Sequence, residues 1–410
     1  MTPSRRLAAL AAACSLVPSA AQAAWWTLDP SVELSGGAND NYGLLVGSKN
    51  RVGTASMTGG LVASRQTENS STGLTANLVA LALRGDTHQN EFQDSIALSQ
   101  SLAGPVDSFT LNAQWSRDDT LQTPTSSGDL LIGRGLQRHE SATGGWTRQL
   151  TERLGVVSNL SIERARYSQA LVGAKDYQDG SATAALQYVV DERTTANVSA
   201  SHQDYRALDE SVRSLTDSLT AGFARDLSET GNLSLNLGAY RTRLRAPHEV
   251  LVCPVDVVLC EIGLAAPVVV ADAGRSTRWG LQYSGAYNAQ FTETTKGAAS
   301  ISRQQAPSGA GVTVRSDLFR ASLDHAWSER TAATLAYTRS GSTYQGVGQQ
   351  PSSTLQTLGL QLSQALSPQM SVRANVDYKR SSEAFTALSA HSASFTITLH
   401  YDWQRLEAHR

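Results

Sequence analysis

Strict alternation of apolar and polar residues constrains this chain more than any other feature. In "SFTITLHYDW" (394–403), Phe395, Ile397, Leu399, Tyr401 and Trp403 share one parity, and Thr396, Thr398, His400 and Asp402 the other. Successive strand residues point to opposite faces, so the segment reads as a β-strand with one apolar and one polar side. The pattern recurs throughout. "SFTLNAQW" carries Phe109, Leu111, Ala113 and Trp115 on one face, and "GNLSLNLGAY" carries Leu233, Leu235, Leu237 and Ala239. "RWGLQYSGAY", "LFRASLDHAW" and "SVRANVDYK" repeat it with Trp279 and Leu281, Phe319 and Leu323, and Val372 and Val376. Each segment is about ten residues long, the length that crosses a bilayer as a tilted strand.

The connections alternate too. Tight ones read "LTERLG", "VDERTT", "LSETGN", "WSERTA" and "LSPQMS"; longer ones include "TLQTPTSSGDLLIGRG" and the stretch from Arg245 to Ser276. Short turns on one side and long loops on the other are the plan of an outer-membrane barrel. The expected fold is therefore all-β: a closed antiparallel transmembrane barrel of about 18 strands, with 16 as the alternative. The rival is a soluble sandwich or solenoid, whose polar faces should be rich in Lys and Glu. Here the polar parity is mainly Ser, Thr, Asn, Gln and Gly. Trp115, Trp146, Trp279, Trp327, Tyr378 and Trp403 stand near strand ends, where interfacial girdles lie.

Composition narrows the class further. Only 40% of residues are hydrophobic and only 7 are Phe, which is lean for a soluble core of 410 residues. A formal net charge of −2 gives no reason to expect nucleic acid as a partner. The first 23 residues, with Arg5 and Arg6, an apolar run from Leu7 to Val17 and Ala21-x-Ala23, fit a secretory signal peptide. That leaves residues 24–410 as the barrel, with no later apolar stretch long enough for a spanning helix. Cys253 and Cys260, in "CPVDVVLC", are a disulfide candidate in an exported chain; a two-thiolate metal site would lack further ligands. The Arg245–Arg275 stretch is the expected constriction or lid, an exposed stapled loop being the alternative.

Two resemblances add to this reading. The near-terminal aromatic-x-aromatic of Tyr401 and Trp403 looks like the signal read by the barrel assembly machinery, although "QRLEAHR" follows it. The opening "LDPSVELSGGANDNYGLLVG" resembles the β-barrel porin 2 type outer-membrane families, which accompany exopolysaccharide or exosortase systems. The resemblance rests on an early strand running into Asp40-Asn41, and it implies transport or export across the outer membrane and no catalytic residues. Locally, Asp40-Asn41 reads as a strand-end turn.

The polar parity supplies the candidate pore lining: Asn112, Gln114, Asn236, Tyr240, Gln282 and Asn288, with Arg320, Asp324, Arg373 and Asp377 as charged members and Arg303 beside them. Hydroxyls and amides exchange hydrogen bonds with water or sugars without holding an ion strongly. Enzymatic motifs are missing. The eight histidines share no local pattern, neither H-E-x-x-H nor G-x-S-x-G occurs in the mature chain, and Ser201 and His202 must face opposite ways. The expectation is a channel that is not an enzyme and carries no cofactor or metal. It would export exopolysaccharide or pass small polar solutes; a non-conducting scaffold barrel is the alternative. Expected partners are outer-membrane lipid or lipopolysaccharide, the assembly machinery and periplasmic polysaccharide-export proteins.

Overall fold

Backbone groups in hydrocarbon must all be paired, so alternating segments in a membrane have to close on one another. They do so in the computed structural model, which describes residues 25–44, 46–47, 49–119, 136–168, 174–252, 268–308, 313–344, 352–383, 389–403 and 406–409. The signal segment 1–23 and both Cys253 and Cys260 lie outside the described residues.

The first strands are β1 (Trp25–Asn39), β2 (Val52–Gln66), β3 (Ser70–Gly85), β4 (Gln89–Ala103), β5 (Asp107–Asp119) and β6 (Leu136–Gln149). Next come β7 (Leu154–Tyr167), β8 (Tyr177–Asp191), β9 (Thr194–Ala207), β10 (Arg213–Ser228), β11 (Gly231–Val252) and β12 (Val268–Thr292). The rest are β13 (Thr295–Ala306), β14 (Val314–Ser328), β15 (Thr331–Tyr344), β16 (Ser352–Ala365), β17 (Met370–Glu383), β18 (Ser389–Asp402) and β19 (Leu406–His409). Each pairs antiparallel with its chain neighbours, and β1 closes the sheet on β18 from Asn39↔Ser394 to Ser31↔Asp402. After a break at Trp403 the last strand resumes as β19, opposite Trp25–Leu28. Counted that way, the closed barrel has 18 strands.

Strand faces follow the alternation. Leu78, Phe92, Leu237, Leu281, Leu360, Phe395 and Ile397 point outward and are exposed, Leu78 and Phe92 each to 69%. A cylinder with a greasy outside belongs in a bilayer, and a closed strand cylinder of this kind is an outer-membrane protein. Directly opposed residues share a face, so the register fixes the inward set on every strand.

Several tight turns share one chemistry. Asp191 Oδ1 accepts the Arg193 N–H at 2.8 Å, and Ser228, Thr292 and Ser328 hydroxyl oxygens accept N–H groups of Thr230, Thr294 and Arg330. Side-chain capping of a turn two residues on is why Asp, Ser and Thr precede the recurrent Glu. The same hairpins carry the register shifts at Val189/Asp191, Asp226/Ser228, Gln290/Thr292 and Ala326/Ser328.

Two sequence expectations change here. The Arg245–Ser276 stretch is mostly strand: the ladder continues to Val252↔Val268, and Gly274, Ala273 and Asp272 pair with Ala246, Pro247 and His248. The paired hairpin of β11 and β12 thus reaches further than a loop starting at Arg245 would allow, and residues 253–267, on which the lid expectation rests, lie outside the described residues. Arg303 faces outward, because its row runs Tyr283↔Arg303↔Asp317 beside Ile301 and Phe319. A strand poor in apolar landmarks had left its parity ambiguous.

The seam is latched at its long-loop end by Asp40-Asn41. Asp40 Oδ1 accepts the Ala393 N–H at 2.7 Å, the Asp40 N–H donates to the Ala393 carbonyl, and Asn41 Nδ2 donates to the His391 carbonyl at 3.0 Å. At Gly37 the two edges approach so closely that a Cβ would lie 2.3 Å from the Phe395 carbonyl oxygen. The Ala393 N–H, helped by Lys49, holds the Asp40 carboxyl below its usual value. A depressed folded pKa means the stabilisation is present above the unfolded carboxylate value and is lost as pH falls through the folded one. Asp40→Ala should therefore lower seam stability by about 0.5–1 kcal/mol at neutral pH and by less at acid pH, as the carboxylate is protonated. Heat-modifiable gel mobility at the two pH values checks this; an equal loss at both would refute it.

Candidate functional site

The site is the barrel interior and its long-loop mouth. Asn112 and Gln114 on β5, Asn236 and Tyr240 on β11, and Gln282 and Asn288 on β12 lie on the inward parity. So do Arg320 and Asp324 on β14, and Arg373 and Asp377 on β17. Inside, amides meet across strands: Asn236 Nδ2 donates to Ser284 Oγ at 3.2 Å and Asn288 Nδ2 to Asn232 Oδ1 at 3.1 Å. Asn112, Gln114, Ser284, Asn288, Arg320 and Asp324 remain exposed although they face inward. The waist of the barrel is therefore open, as expected for this strand number.

The mouth is different. Tyr205 and Val314 are fully buried, and Tyr177, Tyr240, Leu244, Ser214 and Thr242 are nearly so. Tyr177 stacks between Tyr167 and Tyr205, with ring centroids 6.5 Å and 5.3 Å away. The hydroxyl of Tyr205 donates to the Ser308 carbonyl at 2.9 Å, and Ser214 Oγ meets Thr313 Oγ1 at 3.4 Å. Ser308 and Thr313 flank the β13–β14 connection, so its described ends fold into the barrel and seat on the inner walls of β9 and β10. A second inward fold lies near the seam, where Tyr42 packs on Val52, Leu81 and Leu83. Gly43 at φ 100° and Leu44 at φ 51° make the turn that returns Tyr42 to the wall.

Sequence reasoning missed both inward folds. The signal was present in β3, whose Leu81 and Leu83 break the polar parity. Apolar residues on an inner face mark the place where something covers them.

Inner charges are unevenly distributed. Glu91, Asp118, Glu163 and Asp179 face inward from β4 to β8, and among the described residues no Lys or Arg faces inward from those strands. Tyr177 donates to Glu163 Oε1 at 2.6 Å, His139 contacts the same oxygen at 3.2 Å, and Gln203 donates to Asp179 Oδ2 at 3.1 Å. Across the barrel, Arg278, Lys296, Arg320, Arg373 and Lys379 face inward from β12 to β17, against Asp324 and Asp377. Near the short-turn end Arg373 donates to Glu33 across the seam, with His400 3.5 Å from the same carboxylate. One wall is acidic and the opposite wall basic.

His202 and Asp217 pair at 2.7 Å, but on the outer face. Their ladder neighbours are Ala182, Ala200, Asp204, Leu215, Leu219 and Arg241, none of which carries a hydroxyl or thiol for the His202 imidazole to activate.

No family and no curated relative matches this chain. Solved structures do resemble its fold. The outer membrane protein OpdK of Pseudomonas aeruginosa aligns over 92% of this chain and 99% of its own, at 10% identity and a TM-score of 0.45. OccK2 (OpdF) of the same organism aligns over 92% and 97%, at 11% identity and 0.46. OccAB1 of Acinetobacter baumannii aligns over 93% and 97%, at 10% identity and 0.44. These are likenesses of barrel architecture alone, and neither solute nor gating is inferred from them. Nothing in them bears on polysaccharide export or on the porin 2 type families.

Proposed function

We propose that this protein is an outer-membrane channel for passive diffusion of small polar solutes, with its constriction at the long-loop mouth. The supporting observation is the contrast along the inner wall: hydroxyl, amide and charged side chains exposed at the waist, and tyrosines buried at the mouth. A wide wet vestibule in series with a narrow ring filters by size. The acidic and basic walls set a field across the path, which orients dipolar solutes and favours net-neutral or zwitterionic ones over apolar ones.

Purified protein in planar bilayers should show stable single-channel steps. Arg320→Gln should shift the reversal potential in a salt gradient toward cation preference, because it weakens the basic wall. A folded barrel that stays silent would overturn the channel reading and favour a scaffold.

A further inference from the structure

On the outer face, Arg206, Arg213, Arg245 and Arg275 occupy directly opposed positions on β9, β10, β11 and β12. All four are exposed and share the parity of Leu219, Leu237 and Leu281, which face outward below them. Like charges directly opposite one another destabilise a ladder, so such a row needs compensation. Asp204 supplies part of it, accepting from Arg206 and from Arg213 Nε and Nη2 at 3.0 and 2.9 Å. Among the described residues no carboxylate pairs with Arg245 or Arg275.

The surroundings point to what completes the row. Just below it, Arg243 donates to Asp217 at 2.8 Å and the Arg241 guanidinium lies 5.5 Å over the Trp279 ring. Beside Trp279 the wall is notched: the β12–β13 ladder begins at Tyr283↔Arg303, although both strands run further toward the mouth. The notch holds a cavity of about 350 Å³ lined by the outward Arg303 and Arg315, which share the Asp317 carboxylate, and by Arg278 from the inner face. Height matters as well. From Gly231 to Arg241, at about 3.4 Å per residue and about 40° of tilt, the strand climbs about 26 Å, the thickness of an apolar band. The row at Arg245, four residues further, stands about 10 Å higher still, above the apolar band and at the level of the headgroups. At the opposite rim the turns set acid beside base in the sequence, as in Glu192-Arg193 and Glu329-Arg330, and among the described residues no comparable row forms.

We propose that this face binds a phosphate-bearing lipid of the outer leaflet. Its phosphates bridge the Arg245–Arg275 end of the row and the adjoining notch, and its acyl chains lie on Leu219, Leu237 and Leu281. Guanidinium forks match phosphate oxygens bidentately, and the greasy wall beneath selects an amphiphile over a soluble anion.

The test uses the full chain refolded in neutral detergent and titrated with bisphosphorylated lipid A, dephosphorylated lipid A and inorganic phosphate. Binding is read by native mass spectrometry and stability by heat-modifiable mobility. The bisphosphorylated lipid should bind and raise the unfolding temperature, and the other two should not. Arg245→Gln/Arg275→Gln should bind about tenfold more weakly, yet be no less stable without lipid, since it relieves repulsion. Arg225→Gln, on the outer face near the short turns, should bind as the parent does. Undiminished binding by the double variant would overturn the proposal, as would equal stabilisation by dephosphorylated lipid or by phosphate alone. Failure of the double variant to refold, with the single Arg275→Gln variant less stable than the parent in neutral detergent, would contradict the repulsion argument and count against it too.

Discussion

Leu237→Arg should destabilise the barrel by about 2–4 kcal/mol, the cost of an arginine on the lipid face near the midplane. Leu237 points outward at 63% exposure, flanked along β11 by Leu233 and Leu235 on the same side. Its guanidinium could escape only by snorkelling toward the distant headgroups, and at mid-band that reach is insufficient. Its immediate neighbour provides the contrast. Asn236 faces the wet interior opposite Gly222, which leaves room for a longer side chain, so Asn236→Arg should change stability by less than about 1 kcal/mol. Refolding into lipid vesicles under denaturant measures both. Equal costs at the two positions would mean that the two faces are not lipid and water, and the barrel reading would fall with them.

Tyr205→Ala should open the mouth. The residue is fully buried, stacks on Tyr177 and ties down the β13–β14 connection through the Ser308 carbonyl. Truncation removes a core aromatic at about 3–5 kcal/mol and releases the inward-folded ends. Because the narrowest segment dominates the resistance of a pore, single-channel conductance should rise by roughly twofold. Tyr205→Phe separates packing from tethering. It keeps the ring but removes the hydrogen bond to the Ser308 carbonyl, at about 0.5–1.5 kcal/mol, and should produce flicker between two current levels rather than a constant increase. A parental conductance in Tyr205→Ala would place the constriction elsewhere.

The barrel was legible because membrane burial writes itself into sequence with period two. Phe395, Ile397 and Leu399 need no tertiary information to be assigned a face, since every strand must show lipid the same kind of side chain. The tight turns were legible for a similar local reason, the Asp, Ser or Thr that caps them. What escaped depends on contacts between distant segments. Arg303 lies on a strand whose outward positions include Ala299 and Gly297, so hydrophobicity alone cannot decide its parity; the register with Tyr283 and Asp317 does. The mouth escaped because Tyr205 meets Ser308 across more than a hundred residues of chain. Asp40-Asn41 reads locally as a turn, while its hydrogen bonds to Ala393 and His391 require the two ends of the chain to have met.

That meeting has a temporal consequence. The edge presented by β1 finds one of its two partners only when β18 has been made, so no early intermediate can cover it. Loop closure over such a separation is slow, and an uncovered edge invites pairing with other chains. The β1 edge should consequently stay open until the last strand arrives, and insertion should proceed at a rate set by zipping the final pair rather than by forming any individual hairpin.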